Sequence, residues 1–140
     1  MTVPDAPIQC ETPAPNPDIY LVDDDPLVRR SLTRLLESAG HTVQSFAEPK
    51  RFLQRFLERP ASVVVLDIWL EHMTGMEMLA HIYARSPQTR IIFIIGHQDH
   101  TAETIVQQTG AFAFLNKPVE SELLLHSVRS ALGPPPPLVP

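Results

Sequence analysis

Hydrophobic and polar positions follow two different periods along the middle of the chain. Residues 19–22, 62–66 and 91–95 are short, almost continuously apolar runs, which is typical of strands covered on both faces of a sheet. Residues 41–46 and 111–115 show a weaker form of the same pattern. The pattern therefore predicts five strands.

Segments with helical spacing separate these runs. Val28, Leu32, Leu35 and Leu36 share one face of a first helix, which begins near Pro26. A second helix is predicted from the apolar stripe Phe52, Leu53, Phe56 and Leu57. A third is predicted at 75–84 and a fourth at 101–108. The fifth is predicted at 119–132, with the apolar stripe Leu123, Leu124, Val128 and Leu132.

Strands and helices thus alternate five times, which predicts an α/β fold. Parallel neighbouring strands need a crossover connection, and right-handed crossovers place helices on both faces of the sheet. In such folds ligands bind at the carboxyl ends of the strands. We therefore expect a functional site at that edge of the sheet.

The distribution of proline sets the limits of the predicted domain. Ten of the 15 prolines lie in the two terminal segments, where they cannot continue a helix or donate to a sheet. Residues 1–17 are expected to form a disordered tail, and residues 134–140 a second tail or the start of a linker. One domain is expected at 18–133.

Charge, cysteine content and hydropathy exclude several classes of protein. The formal net charge is -5 and the chain lacks the clustered Lys and Arg of a duplex-binding surface, so no nucleic acid contact is expected. The lone cysteine, Cys10, fits a reducing compartment. Neither an apolar run of about 18 residues nor a signal-peptide pattern is present, so we expect a cytoplasmic protein that does not enter a membrane.

Charged residues follow three of the predicted strands. Asp23, Asp24 and Asp25 follow the first strand, Asp67 follows the third and Lys117 follows the fifth. Crowded carboxylates repel one another unless a cation compensates, and Mg²⁺ prefers a few carboxylates, phosphate oxygens and water. The pattern predicts a Mg²⁺ site.

Such a cluster suits phosphoryl transfer to a carboxylate. A bound metal ion and an ammonium group neutralise charge on the transferring group, so Asp67 is the candidate nucleophile and Lys117 the candidate ammonium. The alternative for Asp23, Asp24 and Asp25 is that they only cap the next helix. Capping explains any one of these aspartates, but it does not explain charged residues at three strand ends.

Three motifs resemble the receiver domains of two-component response regulators, especially receivers of transcriptional regulators. They are IYLVDDDPLVR at 19–29, VVVLD at 63–67 with Gly75 eight residues after Asp67, and FLNKP at 114–118. The resemblance covers nearly all of 18–133. It implies a flavodoxin-like (βα)5 fold with a parallel sheet in the order 2-1-3-4-5, and a signalling module whose only chemistry is its own phosphorylation and dephosphorylation.

The resemblance also implies roles for individual residues. Asp67 matches the aspartate that accepts a phosphoryl group from a sensor histidine kinase or a phosphotransfer protein. Asp24, Asp67 and the backbone carbonyl of Trp69 match Mg²⁺ ligands, and Asp23 matches a residue that binds through water. Lys117 matches the family's lysine, whose peptide bond to the following proline is often cis.

The switch positions depart from the family pattern. Phe114 matches the aromatic residue that changes rotamer on activation, but Ile95 stands where the family usually has Thr or Ser. A side chain without a hydroxyl cannot hydrogen-bond the phosphoryl group, so the usual switch is in doubt. Trp69 and His97 match positions that face the site and influence phosphoryl lifetime.

Two functions therefore stay open. Asp23, Asp24, Asp67 and Lys117 favour a phosphorylatable signalling module, whereas Ile95 favours a degenerate receiver that binds a partner without phosphorylation. In both cases the face around the predicted fourth and fifth helices is the expected interaction surface. The resemblance also implies that a homodimer can form there.

Overall fold

The computed structural model describes residues 17–68, 75–96, 104, 107 and 109–133. Within these residues the elements are, in chain order, β1 Ile19–Val22, α1 Pro26–Ser38, β2 Val43–Phe46, α2 Pro49–Glu58, β3 Val63–Asp67, α3 Gly75–Arg85, β4 Arg90–Ile95, β5 Ala113–Asn116 and α4 Ser121–Leu132. All five predicted strands are confirmed; the ends of the first agree, and those of the other four differ by at most two residues.

Some predicted segments fall outside the described residues. Of the predicted fourth helix at 101–108, only Thr104 and Gln107 are described, and both are helical. Helix α4 is therefore the helix that the sequence predicted as the fifth. The proline-rich segments 1–16 and 134–140 also lie outside the described part of the chain.

The five strands form one parallel sheet in the order β2-β1-β3-β4-β5. This is the predicted order. The register pairs Val22 with Leu66, and Asp67 with Ile94. Because all strands run in the same direction, their carboxyl ends meet at one edge of the sheet.

Helices cover both faces of the sheet, and alternate strand residues point into two separate core layers. The α1–α4 layer contains Ile19, Leu21, Leu32, Leu36, Val63, Val65, Ile92, Ile94, Leu115, Leu124, Val128 and Ala131. The α2–α3 layer contains Tyr20, Val22, Phe52, Leu53, Phe56, Ala61, Val64, Leu66, Ile68, Met78, Leu79, Ile82, Ile91, Phe93 and Ile95.

Two leucines assigned to buried helical stripes are exposed instead. Leu57 is 47% exposed and Leu123 is 51% exposed. Each directly follows or precedes a buried residue, Phe56 or Leu124, and one step along a helix rotates a side chain by about 100°. That rotation carries both leucines out of the contact with the sheet, so the prediction was wrong for these two positions.

Local sequence fixes both ends of α1. Asp25 is the N-cap residue, and Pro26 occupies the first helical turn, where a missing amide proton costs nothing. The helix ends before Gly40, whose φ of 94° lies in the left-handed region that glycine adopts without strain. None of the described helices combines the length and the apolar character that crossing a membrane requires.

Candidate functional site

Backbone hydrogen bonds extend the sheet beyond the strand ends and fix the residues that follow them. The amide of Asp23 donates to the carbonyl of Phe46 at 3.1 Å, on the neighbouring strand β2. On the other side of the sheet, the amide of Lys117 donates to the carbonyl of Ile95 at 2.8 Å. The residues after β1 and β5 therefore have defined positions on either side of β3.

Lys117 joins the carboxylates of two different strands. Its ammonium group donates a hydrogen bond to Oδ2 of Asp67 at 2.8 Å and lies 3.5 Å from Oδ2 of Asp23. The Lys117–Pro118 peptide bond is cis, as the resemblance implied. The predicted meeting of strand-end carboxylates with this lysine is present in the structure.

Three aspartates form a compact carboxylate cluster at this edge. Asp23 and Asp67 are buried, Asp24 is exposed, and one carboxylate oxygen from each lies within 4.8 Å of the others. Three carboxylates outnumber the single ammonium of Lys117, so the cluster retains an excess of negative charge when all four groups are ionised.

Two further hydrogen bonds hold Asp23 in place, and one of its carboxylate oxygens makes none among the described residues. Its Oδ1 accepts a hydrogen bond from the amide of Asp25 at 2.9 Å, and the Arg29 guanidinium donates to its backbone carbonyl at 2.7 Å. Its Oδ2 is buried and makes no hydrogen bond within the described part of the chain. The nearest cation to that oxygen is the Lys117 ammonium.

Burial and neighbouring charges shift two pKa values in the cluster. Burial raises the pKa of the Asp23 carboxyl, and the charges of Asp67 and Asp24 raise it further, against the Asp25 amide and Lys117. Burial alone would lower the pKa of Lys117, but its hydrogen bond and ion pair with Asp67 outweigh burial, so that pKa is raised. Lys117 therefore stays charged, whereas the ionised form of Asp23 is less favourable in the folded chain than in water.

The donor set fits a hard divalent cation. Carboxylate oxygens are the ligands that Mg²⁺ prefers, and here three of them lie close together at the carboxyl-terminal edge of the sheet. The buried Oδ2 of Asp23, without a hydrogen-bond donor, would also gain from a nearby cation or a water bound to it. The residues present therefore fit a metal site of this kind.

The alternative interpretation, helix capping, applies to Asp25. Its Oδ1 accepts hydrogen bonds from the amides of Leu27 at 2.9 Å and Val28 at 3.4 Å. Asp23 and Asp24 lie in the carboxylate cluster instead. The three consecutive aspartates thus divide into a cap and two members of the cluster.

The switch positions lie on the opposite face of the sheet from α1. Ile95 is fully buried in the α2–α3 layer, and the partly buried Phe114 packs against that same layer. Trp69 and His97, which the resemblance assigned to modulating roles, lie outside the described residues.

Sequence reasoning assigned no role to Arg29. Its hydrogen bond to the Asp23 carbonyl ties the first turn of α1 to the carboxylate cluster. A basic residue one turn into a helix that follows an acidic loop is a signal that could have suggested this contact. The atom that accepts the bond is part of the backbone, however, and sequence alone does not identify it.

Comparison with known proteins agrees with this geometry. Residues 19–129 match the family described as response regulator receiver domain. The chain is 34% identical over 115 residues to the C4-dicarboxylate transport transcriptional regulatory protein DctD of Rhizobium meliloti (strain 1021), which covers 82% of this chain and 25% of that protein. It is 31% identical over 115 residues to the transcriptional regulatory protein FixJ of Azorhizobium caulinodans, with coverage of 82% and 54%.

Solved structures give the same result. A response regulator receiver domain protein from Clostridium thermocellum matches with a TM-score of 0.76 at 28% identity, over 81% of this chain and 92% of that one. Full-length FixJ from B. japonicum matches with a TM-score of 0.75 at 33% identity, over 81% and 56%. The chain spans between a quarter and about half of the length of the two curated relatives.

Proposed function

Because the chain belongs to the response regulator receiver domain family, we propose that Asp67 accepts a phosphoryl group from a phosphohistidine in a Mg²⁺-dependent reaction. The donor is a sensor histidine kinase or a phosphotransfer protein. One observation carries the proposal: the Asp67 carboxylate ends the central strand, bonds the Lys117 ammonium at 2.8 Å and lies within 4.8 Å of two further carboxylates.

Asp67 acts as the nucleophile in this proposal. A carboxylate oxygen forms a bond to phosphorus while the bond from phosphorus to the donor imidazole nitrogen breaks, and the electron pair of that bond stays on the imidazole. The product is an acyl phosphate on Asp67. Water later cleaves it, which returns the carboxylate and releases inorganic phosphate. In this proposal the chain acts on no other substrate.

The remaining residues of the site hold and neutralise charge. Asp24 and Asp67 would hold Mg²⁺ directly and Asp23 through water, with the backbone carbonyl of Trp69 as the further ligand that the family implies. When bound, the ion would neutralise negative charge on the transferring phosphoryl group. The Lys117 ammonium already donates to Asp67, so it is close enough to donate to an oxygen of the phosphoryl group once that group is bound to Asp67.

A second function is favoured by the switch positions. Ile95 has no hydroxyl to draw toward a phosphoryl group, and Phe114 already packs against the layer that contains Ile95. A receiver with this arrangement would present one surface in both states and act as a phosphorylation-independent interaction module. In either function, the surface of α4 and the predicted fourth helix is the proposed contact with a partner or a second copy.

Intact-mass measurement after incubation with a small-molecule phosphodonor tests the proposal. The wild-type chain should gain the mass of one phosphoryl group with Mg²⁺ and much less of it in EDTA, and Asp67→Asn should gain none. Asp25→Asn is the matched control, because it makes the same chemical change at the helix cap and should still form the adduct. Absence of an adduct on the wild type, together with no binding of beryllofluoride, would leave the interaction module as the function.

A further inference from the structure

A small cavity lies between helix α1 and the edge strand β2. It has a volume of about 390 Å³ and is lined by Pro26, Arg29, Arg30, Thr33, Arg34 and Ser45. Three of these six residues are arginines from two successive turns of α1. The cavity therefore concentrates positive charge on a molecule whose formal net charge is -5.

No ion pair within 4.0 Å joins these arginines to a carboxylate in the described part of the chain. Ion pairs within 4.0 Å do join Arg51 to Glu48, Arg55 to Glu58, and Lys117 to the carboxylate cluster. Glu37 follows Arg34 on the same helix, but no ion pair within that distance joins them. The arginines around the cavity thus differ from the arginines of α2.

A buried hydroxyl in the same cavity lacks a hydrogen-bond partner. Oγ1 of Thr33 is shielded from solvent, and no group in the described ranges bonds to it. A buried hydroxyl without a partner is unfavourable, so a rotation of the Thr33 side chain that turned Oγ1 toward an acceptor oxygen in the cavity would satisfy it. Ser45 contributes a second hydroxyl. Guanidinium and hydroxyl groups together form a set of hydrogen-bond donors.

We propose that this cavity binds the phosphate group of a small phosphorylated molecule. The planar guanidinium group presents paired N–H donors that match the oxygens of phosphate, and such charge-assisted bonds are stronger than neutral ones. A cavity of this size suits a small ligand, whereas a protein partner needs a much larger contact area. None of the residues that line this cavity belongs to the carboxylate cluster that contains Asp67.

Arg29 connects the cavity to the carboxylate cluster. Its guanidinium lines the cavity and also donates to the backbone carbonyl of Asp23 at 2.7 Å. A phosphate group bound beside Arg29 would compete with the Asp23 carbonyl for the N–H donors of the guanidinium group. Occupancy of the cavity is therefore expected to reach the loop that carries Asp23.

Amide NMR titration with inorganic phosphate tests the site. The Asp67→Asn chain, without Mg²⁺ and at constant ionic strength, keeps phosphate from acting at the acceptor site. We expect saturable shifts of the amides of Thr33, Arg34 and Ser45. Arg34→Gln should weaken the apparent affinity by about tenfold, the effect of losing one charge-assisted hydrogen bond.

Two further variants separate binding from general effects of charge and folding. Arg51→Gln removes an arginine of α2, which does not line the cavity, and should leave the affinity unchanged. Thr33→Val keeps the side-chain shape and should weaken phosphate binding without lowering stability, because it removes a hydroxyl that has no partner.

Three results would overturn the proposal. The first is a set of shifts that do not saturate, and the second is equal weakening by Arg34→Gln and Arg51→Gln, since both mean non-specific screening. The third is a response to a glutamate-rich peptide without a response to phosphate, which means that the arginines dock a protein.

Discussion

At the scale of single residues, Asp23 shows the tension in the site most directly. Its carboxylate is fully buried, one oxygen is satisfied by the Asp25 amide, and the other faces the Lys117 ammonium at 3.5 Å. Burial and two neighbouring carboxylates raise its pKa, which means that the ionised form is unfavourable in the folded chain without a bound cation.

Replacing Asp23 with Asn should therefore stabilise the chain when no metal is present. The amide oxygen can still accept the hydrogen bond from Asp25, while the like-charge repulsion disappears. We expect the free energy of unfolding in EDTA at neutral pH to rise by roughly 1 kcal/mol, at the low end for two like charges in close contact, because the lost attraction to Lys117 offsets part of the relieved repulsion. Urea unfolding measures it.

Asp24→Asn is the control for this change. Its side chain is exposed, so removing its charge should alter stability less than the change at Asp23 does. A lower stability of Asp23→Asn would show instead that its attraction to Lys117 outweighs the repulsion.

If the absence of a hydroxyl at Ile95 blocks the switch, as the proposed second function requires, a hydroxyl introduced at position 95 should restore the response. In the Ile95→Thr chain we expect the ring resonances of Phe114 to shift when beryllofluoride and Mg²⁺ are added. The variant should lose about 1–3 kcal/mol of stability, because it removes apolar volume and buries a hydroxyl in the α2–α3 layer. NMR of the Phe114 ring and urea unfolding provide the two readouts.

Ile95→Val is the matched variant for this experiment. It also removes apolar volume, at a cost of about 0.5–1.5 kcal/mol, but it adds no hydroxyl. An equal shift of Phe114 in Val and Thr variants would mean that space at this position, rather than the hydroxyl, limits the movement.

At the scale of elements, two sets of hydrogen bonds fix the start of α1: those of its N-cap Asp25, and the bond from Arg29 to the Asp23 carbonyl. Asp25→Ala removes the hydrogen bonds to the Leu27 and Val28 amides and should cost about 1 kcal/mol of stability. Mg²⁺ affinity should change little, because Asp25 does not belong to the cluster. Urea unfolding and a Mg²⁺ titration of the same variant measure both quantities.

Asp25→Ser distinguishes capping from charge. Serine keeps an oxygen that can accept from the helix amides, so it should recover most of the stability. A large loss of Mg²⁺ affinity in both variants would instead place Asp25 among the residues that bind the metal.

The elements themselves were predictable because their signals are local. Buried parallel strands give continuous apolar runs, and Pro26 with Gly40 marks the two ends of α1. The errors at Leu57 and Leu123 arose where an apolar residue stands next to the buried stripe. Sequence alone does not set the rotation of a helix on a sheet to within one residue.

At the scale of the whole molecule, strand order decides what meets at the site. Strand-end positions predicted that Asp23, Asp67 and Lys117 converge, and the parallel sheet brings them together. The full burial of Asp23 and the contact of Arg29 with its carbonyl depend on tertiary packing. The sequence gives no local signal for the burial of Asp23, and it places Arg29 near the acidic loop without identifying the backbone atom that Arg29 bonds.

A metal ion that binds the folded chain but not the unfolded chain should stabilise the whole domain. At a Mg²⁺ concentration 100 times Kd, the gain in free energy of unfolding should be about 2.7 kcal/mol by mass action. The Asp24→Asn and Asp67→Asn variants should lose most of this gain, whereas Asp25→Ser should keep it. Urea unfolding at several Mg²⁺ concentrations gives the values, and a gain that is equal in all four chains would contradict a site at the cluster.

The central place of β3 in the sheet also determines how its amide protons exchange with solvent. The strand Val63–Asp67 is buried along its length and pairs with β1 on one side and β4 on the other. Amides in such a strand exchange only when the whole sheet opens, whereas helix ends exchange through local fraying. We therefore expect the acceptor residue Asp67, which ends this strand, to keep its position until the sheet itself opens.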